Sequence, residues 1–213
     1  MRGGWLAGVL ACLVVASGCA NTVGGRAEPA AGASSATLPG SCRPSDLLAC
    51  IVPAPAGSAP YSTPLGPNGA VTARQFVSAF YPDDAQYNNQ IADQLQTQGL
   101  QAIAHRNWAV TQGDQADVVL LGFTTARGAQ QRARVVEDST RRDPTLSTFT
   151  GPGLPNGVVA FVDRTVDKYG NIGVRAYAAY GQVELEFNFF HPSSLDTADL
   201  AAQVDAEVAL LNA

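Results

Sequence analysis

The chain has 213 residues, 46% hydrophobic and 15% charged, with 13 Lys+Arg against 18 Asp+Glu and a formal charge of −5. That acidic balance excludes a nucleic-acid partner, since phosphate binding needs clustered Lys and Arg. It also excludes docking on anionic lipid through a basic patch.

Met1-Arg2 gives a short positive start, residues 5–15 are apolar apart from Gly8, and Ala16-Ser17-Gly18-Cys19 follows. Such a run is too short to cross a ~30 Å hydrocarbon core as a permanent helix and has the dimensions of a secretory signal. Ala16-Ser17-Gly18-Cys19 resembles the bacterial lipobox, with Ala16 where that motif usually carries Leu. The resemblance implies thioether lipidation of Cys19, cleavage before it, and an extracytoplasmic protein held to the cell membrane by its acyl chains. Two or more chains anchor firmly where one does not. The other reading is an ordinary signal peptide cut near Ala20, and Cys12 is discarded in either case. Arg2 is the one charged residue among 1–18, so its loss lowers 13 Lys+Arg to 12 and moves the charge from −5 to −6.

Residues 19–41 hold Gly, Ala, Ser, Pro and Thr with almost no large apolar group, and so read as a disordered, lipid-anchored tether. Residues 42–69 are a Pro/Gly-rich segment whose pair Cys42 and Cys50 reads as a disulfide in an oxidising compartment. A redox or metal pair is the alternative, without CxxC spacing or a nearby His to support it. Ser45-Asp46-Leu47-Leu48 reads as a short helical turn pinned by that pair.

Residues 70–213 read as a single α+β domain. Thr72 and Gln75 form a capping-box signature for a helix running to Phe80. A second helix covers 84–98, with Tyr87, Ile91 and Leu95 on one face and Gly99 as its stop. Strands follow over 103–111 and 118–123. Thr124 or Thr125 then caps a helix over 126–141 whose inner side is Ala126, Ala129, Ala133 and Val136. Pro144 ends it, and a Pro/Gly loop leads to strands over 158–162, 172–180 and 183–190. The last alternates cleanly: Val183, Leu185, Phe187 and Phe189 face a core, and Glu184, Glu186 and Asn188 face solvent. A final helix starts near Ser194 or Asp196, with Leu195, Ala198, Ala202, Asp205, Val208 and Leu211 at roughly helical spacing, Asp205 being the exception in character.

These elements predict an antiparallel sheet of about five strands with helices packed mainly on one face. Residues 107–138 and 174–207 both read strand, turn, strand ending in Phe, cap, helix. The echo is either a ββα duplication or a chance recurrence of a common unit.

Candidate chemistry is sparse. His105 and His191 are the only histidines, and nothing in their spacing suggests a metal site. His191, before Pro192, sits where a local backbone hydrogen bond is expected. Asp163 and Asp167 around Lys168-Tyr169-Gly170-Asn171 read as a hairpin turn, because the closing Glu of a calcium loop is absent. Arg127, Arg132, Arg134, Arg141 and Arg142 read as a solvated, ion-paired helix face with Glu137 and Asp138 interspersed. There is no Gly-x-Ser-x-Gly, phosphate loop or dinucleotide fingerprint, so no catalytic residue, metal or cofactor is assigned.

From Phe123 onward the chain shows a strand ending in Phe, an Arg-rich helix, a Pro-Gly loop, and Tyr180-Gly181-Gln182 before an alternating strand. This pattern resembles uncharacterised secreted lipoproteins of actinobacteria and, more distantly, extracellular sensor domains of mycobacterial serine/threonine kinases. The resemblance implies ligand binding in a groove. Those sensor domains are braced by disulfides in the folded core, and this chain departs from them in having no cysteine after Cys50. The leading expectation is a non-enzymatic envelope lipoprotein that binds a small amphiphile, a cell-wall fragment or an envelope protein. Trp108, Tyr177, Tyr180, Phe187 and Phe189 are the aromatics available to line its site. The alternatives are a hydrolase acting on envelope material through Glu184 and Glu186, and a structural accessory subunit of an envelope complex.

Overall fold

A computed structural model describes residues 42–80, 85–109, 114–149, 153–167, 170–192 and 197–212. Cys19, the tether over 19–41 and the start of the final helix at Ser194 or Asp196 lie outside the described residues. Among those described, no helix is long and apolar enough to cross a membrane.

The order is α1 (Leu47–Cys50), β1 (Gly69–Ala70), α2 (Ala73–Phe80), α3 (Ala85–Thr97), β2 (Leu100–Ala109), β3 (Gln115–Phe123), α4 (Ala126–Arg141), β4 (Leu146–Phe149), β5 (Val159–Asp163), β6 (Asn171–Tyr180), β7 (Val183–Pro192) and α5 (Thr197–Asn212). The strands form one antiparallel sheet in the order β1-β2-β3-β7-β6-β5-β4. The fold is therefore α+β, as the hairpin-and-helix pattern predicts. Two strands exceed that prediction. β1 has 2 residues and β4 has 4, too few for a period-two pattern to register.

Local signals act where the sequence places them. Thr72 N–H donates to Gln75 Oε1 at 3.0 Å while Gln75 N–H donates to Thr72 Oγ1 at 3.2 Å, closing the capping box. Thr125 Oγ1 accepts from Gly128 N–H at 3.1 Å and caps α4. The β5–β6 turn closes through Asn171 N–H on Asp167 Oδ1 at 2.9 Å. Cys42 and Cys50 are joined by a disulfide with Cα atoms 5.9 Å apart.

The sheet has cores on both faces. On the back, Leu47 and Ile51 of the disulfide segment and Leu200, Val204, Val208 and Leu211 of α5 pack on Val118, Leu120, Leu185 and Phe187. On the front, Phe76, Val77, Leu95 and Ala129 of α2, α3 and α4 pack on Ile103, Val119, Leu121 and Phe123. The ββα echo holds in the strands, since β2-β3 and β7-β6 meet symmetrically at the centre. It stops at the helices, because α4 covers the front and α5 the back.

Two sequence expectations need correction. The buried stripe of α5 is Leu200, Val204, Glu207, Val208 and Leu211, while Ala198, Ala202 and Asp205 are exposed. The helix is so rich in Ala that polarity contrast could not fix its phase, and Asp205 in the expected stripe was the sign of error. β7 is also not half-buried: Glu184 and Glu186 are 0% and 5% exposed. α4 lies across the face they share, so period-two alternation here separates two cores rather than core from water.

Candidate functional site

Between α4 and the α2–α3 pair, the front face is left uncovered over a groove of about 520 Å³. That volume lies within the ~300–1,000 Å³ of small-molecule sites. Register builds its floor. Asp117 of β3 pairs with Asn188 of β7, and Asn188 pairs with Arg175 of β6, so three planar polar side chains stand abreast. Glu186 and Tyr177, directly paired, form the next row. α4 contributes Arg132, Val135, Ser139 and Thr140 along one wall, and Phe76, Phe80, Tyr87 and Ile91 form the other. Phe80, Tyr87 and Val135 are 42%, 41% and 41% exposed, so the lip is apolar and open to water.

The deep end is electrostatically organised. Arg132 Nη2 donates to Glu186 Oε1 at 2.7 Å, with both side chains under a tenth exposed. The Arg132 guanidinium also lies 5.6 Å from the centre of the Phe76 ring. Glu184, one row further along the strand, is wholly buried, and neither of its carboxylate oxygens has a hydrogen-bond partner among the described residues. Burial, reinforced by the Glu186 charge and opposed by Arg132, pushes its carboxyl well above the usual range. Tyr177 is pushed up to about 12, mainly by burial and then by Glu186, and its hydroxyl meets that of Thr140 at 3.3 Å. His105, paired with Val119 on the same face, is fully buried beside the floor, with Nε2 2.8 Å from Asp117 Oδ1 though not in hydrogen-bonding alignment.

The structure scatters the aromatics singled out by sequence. Tyr177 lines the groove. Trp108, Phe187 and Phe189 point the other way, into the back core, where Trp108 and Phe189 border only a small hollow of about 160 Å³. Tyr180 packs at the edge of that core and donates its hydroxyl to the Asn156 carbonyl at 2.8 Å. Of the arginines, Arg127, Arg134, Arg141 and Arg142 are exposed, and Arg141 pairs with Glu137 at 2.6 Å as a helix-surface pair should. Arg132 departs from that solvated face because it falls inside the Ala129–Val136 stripe and meets the sheet's acids. His191 Nδ1 lies 2.9 Å from the Pro192 carbonyl, the local contact expected, and its Nε2 is 3.4 Å from Asp114. No group of three or more metal-binding side chains occurs among the described residues.

Asp117, Asn188 and Arg175 were missed because the row exists only once β3, β7 and β6 are in register. One signal was available: a basic residue inside an apolar helical stripe and two acids inside a buried strand are natural mates.

No family model and no curated protein matches the chain. Two solved structures show weak similarity to it. The extracellular domain of PknH from Mycobacterium tuberculosis is 13% identical with a TM-score of 0.47, covering 76% of this chain and 94% of that one. An uncharacterized protein of Mycobacterium smegmatis, the Rv0999 ortholog, is 15% identical with a TM-score of 0.27, covering 58% and 75%.

Proposed function

We propose that the protein is an extracytoplasmic lipoprotein, anchored through Cys19, whose folded domain binds a small amphipathic envelope molecule without transforming it. The observation that carries this reading is the front groove, a space of about 520 Å³ with a polar floor and an apolar lip. Such a section suits a ligand that is polar on one side and apolar on the other. The lipobox-like start and the Cys42–Cys50 disulfide support the compartment. Glu184 and Glu186 are the pair a hydrolase would use, but Glu186 is held by Arg132 and Glu184 is absent from the groove lining. A carboxylate pair flanking a scissile bond needs both groups open to substrate.

Native mass spectrometry of the protein purified from its own envelope tests the reading. A discrete adduct of small mass is expected, lost when Val135→Arg closes the lip. A bare mass for the unaltered chain, or an adduct indifferent to Val135→Arg, overturns it.

A further inference from the structure

We propose, resting on the groove being a ligand site, that its occupant is a saccharide. Three observations converge. First, the floor row is largely unspent. Arg175 is exposed and makes no hydrogen bond or ion pair among the described residues. The half-buried Asn188 amide likewise has no partner among them. Asp117 is half spent: its buried Oδ1 lies 2.8 Å from His105 Nε2, which leaves Oδ2 as the oxygen that can face the groove. Carboxylate, amide and guanidinium spring from adjacent strands, whose backbones run about 4.8 Å apart, and present acceptor, donor-acceptor and donor side by side. Adjacent ring hydroxyls, each both donor and acceptor, can satisfy all three at once.

Second, an aromatic platform adjoins the row. Phe190 follows Asn188 on the same face of β7, lines the groove, and pairs with Gly173 of β6. A Cβ on Gly173 would collide with Asp163 Oδ2 and come within 3.1 Å of Phe190 Cε1, so one edge of the ring, beside that carboxylate, occupies the space a side chain would fill. A ring held down in this way offers a flat surface to the C–H face of a pyranose.

Third, the charges nearly balance. Asp117, Asp143 and Glu186 face Arg132 and Arg175, which demands no strongly charged ligand. An alkyl chain laid on the same floor would strip water from Asp117, Asn188 and Arg175 and return no hydrogen bonds, a cost borne by each group left unsatisfied. A neutral hydroxylated ring meets the floor with its edge and the aromatics with its face.

Equilibrium binding to the intact chain in phosphatidylcholine nanodiscs decides it, with chitobiose and maltose as neutral disaccharide probes and laurate as the alkyl probe. At least one disaccharide is expected to bind. Arg175→Ala and Asn188→Ala should each weaken it about tenfold at unchanged melting temperature, and Val135→Trp should abolish it. Laurate binding that Val135→Trp blocks, with neither sugar bound, overturns the saccharide and keeps the groove. No binding of any probe overturns both. Sugar binding untouched by all three substitutions overturns the placement.

Discussion

Arg132 reaches from α4 to the sheet and holds Glu186 at 2.7 Å, in a place where both side chains are under a tenth exposed. Removing one member leaves the other buried and uncompensated, beside Glu184. Arg132→Ala is therefore expected to cost about 3–5 kcal/mol in urea unfolding. Replacing the pair together, Arg132→Met with Glu186→Leu, should cost far less. A double replacement as damaging as the single one would show that the pair is not what joins α4 to β7.

Glu184 is wholly buried beside the Arg132–Glu186 pair. Its folded affinity for protons is raised above the unfolded value near 4.5, mainly by burial. The stability this gives is complete below that value and is lost as pH rises through the raised folded value. Glu184→Gln keeps the shape without the ionisation, so the variant should gain on the parent chain as pH increases. Parallel stability–pH curves would contradict it.

Glu207 does the same on the other face, with a readable window. Its Oε2 accepts from Val52 N–H at 2.9 Å, and burial pushes the carboxyl up to about 7 from 4.5. Stability from this group fades between those two values, by about 3 kcal/mol at most. Glu207→Gln retains an acceptor for Val52, and should match the parent near pH 4 and exceed it at about pH 8. Thermal melts at the two values check it.

Gly128 sets helix propensity against space. Gly→Ala inside a helix ordinarily gains about 1 kcal/mol. Here a Cβ would collide with the Gln98 carbonyl oxygen and press on Phe123 at 3.2 Å. The backbone carbonyl cannot rotate away as a side chain could, so Gly128→Ala should destabilise by about 1–3 kcal/mol. A higher melting temperature would refute this.

Reduction of Cys42–Cys50, or its replacement by two serines, should cost about 2–3 kcal/mol through the short closed loop. The loss should be visible as a lower melting temperature with dithiothreitol.

Much of the fold was legible because its cues are local. Thr72 with Gln75, Thr125 before an Ala-rich run, and Gly181 between alternating strands each act through neighbours a few residues away. The site was not. Asp117, Asn188 and Arg175 stand 71 and 13 residues apart in the chain, and only register brings them abreast. Glu184 and Glu186 misled for a related reason. Polarity on alternate residues announces two faces, and it cannot say that the second is roofed by a helix carrying its own arginine. Trp108, Phe187 and Phe189 are aromatics doing ordinary core packing, and size alone does not separate a floor from a filling.

Cys42 packs in the core on the face opposite the groove. There Arg106 donates to the carbonyls of Ile51 and Val52 at 2.6 and 2.7 Å and to that of Leu48 at 3.2 Å, lashing the incoming segment to β2. The cystine loop is thus fixed to the sheet by that lashing and by its packing with α5. The cystine segment and the groove lie on opposite sides of the sheet, so whatever engages the first leaves the mouth of the second open.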